Sequence, residues 1–144
     1  MPDIHKQTYY LQKINVYAVI LSLEHSKWFL RKSENGELML GGIAVKEAVE
    51  LYKSCFTDVK ISKYMITSNQ VIVFLNVTGE LIDQKRHILH SAPYGVHAMI
   101  RILKRYVVNR TGLNLWSNHN RIIYIHSDKD YNNFLDSIKE SVNK

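Results

Sequence analysis

Five of the seven histidines in this chain, His87, His90, His97, His119 and His126, fall between Gln84 and Ser127. Histidine titrates nearest to neutral pH, so such a group is the first place to look for acid–base chemistry. Two histidines converging on a phosphodiester, with lysine or arginine to stabilise the phosphorane, can cleave it by general acid–base catalysis. His90 and His126, each followed directly by serine, are the candidates for that role. Metal capture is the other chemistry open to histidine. His87 and His90 share a helical face at i, i+3 spacing, but the segment holds no Asp, Glu or Cys to complete a ligand set. No metal and no cofactor is expected.

The same 44 positions from Gln84 to Ser127 contain no acid at all, against seven bases: Lys85, Arg86, Arg101, Lys104, Arg105, Arg110 and Arg121. The whole chain carries +6, from 19 Lys and Arg against 13 Asp and Glu. The segment alone carries +7, so the remaining residues sum to −1. The excess of positive charge belongs to one stretch of chain.

Within that stretch the spacing predicts a long helix opening at Pro93 and ending near Gly112. Proline suits a first turn and glycine the left-handed position after a last one. At 100° per residue from His97, Arg101, Lys104 and Arg105 fall at about 40°, 340° and 80°. Met99, Ile100, Ile102, Leu103, Tyr106 and Val107 span about 140° to 300°. One face is therefore buried, and the other is a basic stripe of His97, Arg101, Lys104 and Arg105. Arg110 falls off the stripe. A stripe of like charge repels itself unless acids from elsewhere cover it or a polyanion sits on it. Aromatics interleave with the bases. Tyr106 and Tyr124 fall in apolar surroundings and read as core, whereas Tyr94 at the helix start and Trp116 at a hairpin end are placed to stack unpaired bases.

Several classes are excluded. The one cysteine, Cys55, permits no internal disulfide and no cysteine-based zinc site, and is expected to be a buried thiol. The longest apolar run, Val16 to Leu21, is far shorter than a membrane-spanning helix, and the N-terminus has no signal-peptide pattern. An intracellular, soluble protein is expected, cytoplasmic or nuclear, without a membrane partner. Gly41-Gly42 and Gly79 fit no phosphate-binding loop.

The elements that must position these residues can be read along the chain. Residues 1–13 are an arm or short helix. Asn15 to Leu23 is a buried strand. Lys27 to Lys32 and Glu37 to Leu40 form a hairpin about Asn35-Gly36, ended by Gly41-Gly42. Val45 to Phe56 is an amphipathic helix. Val59 to Thr67 and Gln70 to Val77 form a second hairpin about Ser68-Asn69. Thr78 caps a helix to about His90. The long helix follows, then a third hairpin, Leu113 to Trp116 and Arg121 to His126, about Ser117–Asn120. Ser127 caps a last helix to about Val142. The sum is a single α+β domain over residues 1–144. Its sheet is mainly antiparallel and built of hairpins, with about four helices packed on one side.

The expected function is non-catalytic binding of nucleic acid, RNA or DNA, or of another polyanion, through the basic helix and its surrounding segment, residues 84–127. Arg101, Lys104 and Arg105 hold phosphates with help from Lys85, Arg86 and His97, and Tyr94 and Trp116 stack bases. The alternatives are an adaptor that binds a protein partner or a second copy of itself, and a small histidine-dependent nuclease or phosphoesterase.

Overall fold

A computed structural model describes residues 14–24, 28–32, 36–54, 56, 58–78 and 94–142. The N-terminal arm, Cys55, the expected helix from residue 79 to 90, and with them Lys85, Arg86, His87 and His90, lie outside the described residues.

Four strands, β1 (Ile14–Leu23), β2 (Val59–Ile66), β3 (Gln70–Thr78) and β4 (Trp116–Ile125), form one antiparallel sheet in the order β2-β3-β1-β4. Three helices are described: α1 (Leu40–Tyr52), α2 (Tyr94–Thr111) and α3 (Asp128–Val142). The α+β class and the antiparallel sheet agree with the sequence pattern. The helix number is three among the described residues, against about four expected. Thr78, expected to cap the fourth, is the last residue of β3.

The helices do not all lie on one side. α1 and α2 cover one face, over Val19, Leu21, Val71, Val73, Leu75 and Val77. The other face, with Ala18, Ile20, Ile72 and Phe74, is covered by Phe134 and Ile138 of α3. The reason is in the two central strands. β1 and β3 are apolar at successive positions, not alternate ones, so both their faces need cover.

Two expected hairpins do not form regular two-stranded ladders among the described residues. Residues 28–32 and 36–39 share one isolated bridge, Arg31 with Leu38, and no ladder. Phe29 and Leu30 are core residues instead. Their carbonyls accept hydrogen bonds from Gly41 N (2.8 Å) and Met39 N (2.9 Å), which ties this loop to the start of α1. The glycine pair does not stop a strand; it opens that helix. A Cβ on Gly41 would collide with the Phe29 ring, and one on Gly42 with the Leu30 carbonyl oxygen.

The third expected hairpin is one continuous strand. Ser117–Asn120 reads as a turn because it is polar, but it lies in β4 at the sheet edge. Leu21 pairs with Asn120 and Leu23 with Trp116, two steps along β1 against four along β4, so the polar residues occupy a bulge. The middle hairpin is present. Thr67 Oγ1 accepts hydrogen bonds from Gln70 N (3.0 Å) and Asn69 N (3.4 Å) across its turn.

Candidate functional site

The long helix is α2, and it shows the expected two faces. Val96, Met99, Ile100, Leu103 and Val107 are buried, while Tyr94, His97, Arg101 and Arg105 are exposed. Its last residue, Thr111, is followed by Gly112 at φ +78°. The irregular end of β4 lies beside the C-terminal half of the helix. Between them is a cavity of about 400 Å³, lined by Arg101, Lys104, Arg105, Val108 and Asn109 of α2, Asn114 of the connection, and Trp116, Ser117 and Asn118 of β4.

Two contacts hold its walls together. The indole N–H of Trp116 donates to the Lys104 carbonyl at 3.3 Å, and the Lys104 ammonium donates to the Ser117 carbonyl at 3.0 Å. That ammonium also stands 5.9 Å from the Trp116 ring centroid. Half-burial there removes water from the Lys104 ammonium and lowers its pKa from the ordinary lysine value. One turn away Arg101 donates to the Tyr94 hydroxyl at 3.2 Å, its guanidinium carbon 5.5 Å from that ring's centroid.

Among the described residues, no acid from elsewhere in the fold covers the stripe. Glu47 of α1 reaches Arg110 at 3.0 Å and accepts the Tyr106 hydroxyl at 3.2 Å. The other ion pair among the described residues is Lys53 with Glu50. Arg101, Lys104 and Arg105 have no acidic partner among them.

The residues singled out in the sequence therefore divide. Arg101, Lys104, Arg105 and Trp116 meet in one cavity, and Tyr94 joins it through Arg101. His97 is exposed on the same face of α2. Trp116 is 8% exposed and wedged against the helix, whereas Tyr94 is 74% exposed. Of the aromatic pair, only Tyr94 has a free ring face of any size. Tyr106 and Tyr124 are half-buried, as their apolar neighbours implied. The polar lining, Asn109, Asn114, Ser117 and Asn118, went unforeseen. Ser117 and Asn118 had been absorbed into a turn, and nothing in the sequence opposes Asn109 and Asn114 across a groove.

A second cavity of about 400 Å³ lies on the opposite face of the sheet, lined among others by Ser62, Lys63, Asn76, His126, Asp128 and Tyr131. The Lys63 ammonium donates to the Tyr131 hydroxyl at 3.3 Å and stands 5.9 Å from its ring centroid. His126 packs edge-on against Tyr124, centroids 4.2 Å apart, and its backbone N–H donates to Asp130 at 3.0 Å. Among the described residues no three His, Cys, Asp or Glu side chains gather as a metal-binding group. No helix among them is long and apolar enough to cross a membrane.

No protein-family model matches the chain, and no curated protein sequence does. Solved structures do. One is a REP-associated tyrosine transposase bound to a REP hairpin, at TM-score 0.58 and 15% identity over 85% of this chain. The present chain spans only 62% of that protein's length. Another is a protein from Deinococcus radiodurans R1 provisionally designated a transposase, at TM-score 0.53 and 13% identity, covering 87% of this chain and 88% of that one. At such identities the likeness is one of fold: this chain shares its α+β architecture with these two proteins.

Proposed function

We propose that this chain binds nucleic acid, with phosphates held along α2 by Arg101, Lys104 and Arg105, and with Lys85, Arg86 and His97 adding to the same basic segment. The observation that carries this reading is the distribution of acids. Glu47 neutralises Arg110, the one helix base outside the stripe, and leaves the stripe uncompensated among the described residues. Uncompensated charge around a groove is tolerated when solvated and becomes favourable with an anion in it. A fold neighbour, a transposase solved bound to a REP hairpin, supports the choice of polyanion. Among the described residues no histidine or carboxylate lines this groove, and the role we assign to it is to hold the ligand.

The test is binding of a mixed-sequence oligonucleotide, as DNA and as RNA, over a salt series. Affinity should fall steeply with salt. Arg101→Glu with Arg105→Glu, both exposed positions, should abolish binding while leaving the fold intact. Unchanged affinity in that variant would sink the reading.

A second reading rests on the other cavity. The Lys63 ammonium donates to the Tyr131 hydroxyl, and that oxygen, on giving up its proton, can displace a sugar oxygen from a phosphodiester. A new Tyr131–phosphorus ester would form, and the departing sugar oxygen would take up a proton. His126, the histidine marked in the sequence for cleavage, lines the same cavity. A labelled oligonucleotide that becomes covalently attached to the wild type but not to Tyr131→Phe would establish this activity; attachment to neither would remove it.

A further inference from the structure

The groove beside α2 has unlike walls. The helix wall carries the cations Arg101, Lys104 and Arg105. The facing wall carries Asn114, Ser117 and Asn118, with Asn109 at the helix end, and no charge. The three asparagines are exposed, and their amides have no hydrogen-bond partner among the described residues. A free amide offers a donor and an acceptor side by side, the pattern that pairs with a base edge.

A duplex suits such a groove poorly. It brings two rows of phosphate separated by a groove about 12 Å wide, and so asks for cations on both sides. A single strand brings one row of phosphate and, opposite it, base edges that no partner strand occupies. The cavity, about 400 Å³, is of the size that holds one small ligand or one nucleotide. Arg101 extends it toward Tyr94, whose ring is largely open to solvent and already packs against the guanidinium. Aromatic and guanidinium planes of this kind take up unstacked bases.

We infer that the groove takes an unpaired stretch of nucleic acid, its backbone along α2, its base edges toward Asn114 and Asn118, and a neighbouring base against Tyr94. This rests on the reading of the groove as a nucleic-acid site and narrows it to single strands with a base preference.

The experiment compares one mixed sequence as a single strand and as a blunt duplex, and purine-rich with pyrimidine-rich single strands, in DNA and in RNA, with the wild type and with Asn114→Ala/Asn118→Ala. Single strands should bind tighter than the duplex by about tenfold or more, the scale of one lost stacking or bidentate contact. The amide variant should flatten the difference between purine-rich and pyrimidine-rich strands and leave the salt dependence as it was. Equal binding of strand and duplex, or base preference untouched by the amide variant, overturns this inference but spares the proposed function. Failure of every oligonucleotide to bind overturns both.

Discussion

The indole of Trp116 lies against Lys104 in two ways at once: its N–H binds the lysine's carbonyl, and its ring lies beneath the lysine's ammonium. A core residue of the edge strand thus sets both the height of α2 above the sheet and the place of a charge on the groove wall. Phenylalanine at this position keeps much of the packing and loses the N–H. Trp116→Phe should cost about 1 kcal/mol in chemical denaturation. Trp116→Ala should cost about 3–5 kcal/mol.

The depressed pKa of Lys104 gives a signed pH dependence. Its charged form is disfavoured in the fold, and that cost is fully present while the lysine is protonated in both states. The cost disappears as pH rises through the folded pKa toward the ordinary lysine value, so this group adds stability in the alkaline range. Binding runs the other way, because only the ammonium attracts phosphate. Affinity should fall on the alkaline side sooner than exposed lysines would dictate, and Lys104→Arg should remove that early fall. Titration of affinity against pH in both proteins checks it.

Two glycines should respond differently to alanine. At Gly42 the new Cβ meets the Leu30 carbonyl oxygen, which is backbone and cannot swing aside. Gly42→Ala should move the loop and cost several kcal/mol, on the order of other overpacked core changes. At Gly112 the Cβ would meet open space, and the cost is only that of a left-handed alanine, about 1 kcal/mol. Urea midpoints of the two variants measure the contrast.

The Tyr124 hydroxyl donates to Asn15 Oδ1 at 2.6 Å, inside the sheet face, where Asn15 is 2% exposed and its Nδ2 has no partner among the described residues. Tyr124→Phe leaves the Asn15 oxygen unpaired as well and should cost about 1–3 kcal/mol. Adding Asn15→Val removes the stranded amide and should recover much of the loss. A double-mutant cycle that found the two changes additive would refute the coupling.

Much of this was legible in the sequence, and the failures share one cause. The 3.6-residue period from Val96 to Val107 and the Gly112 stop identify α2, and the same angles put Arg101, Lys104 and Arg105 on one side. The runs Asn15–Leu23 and Gln70–Val77 identify the two central strands. Local composition misled wherever a tertiary contact replaced the local rule. Gly41-Gly42 reads as a break, yet the glycines admit Phe29 and Leu30 beneath a helix. Ser117–Asn120 reads as a turn, yet it lies within β4, where a bulge between Trp116 and Asn120 takes Ser117, Asn118 and His119 out of register with β1. The groove exists because of that bulge, and a bulge is a property of two strands, which one stretch of sequence cannot display.

Both outer strands depart from regular pairing. Beyond the irregularity in β4, Ile61 pairs with Leu75 and Lys63 with Phe74, so Ser62 is an extra residue in β2. A sheet with two regular open edges recruits strands from other chains, end to end, into aggregates. Here each edge is kinked, and on β2 the kink is flanked by exposed Lys60 and Lys63. The device that opens a groove on one side of the molecule and seats Lys63 beside Tyr131 on the other also guards a highly apolar sheet against aggregation. Straightening β2 by deleting Ser62 would therefore threaten solubility before it threatened the fold.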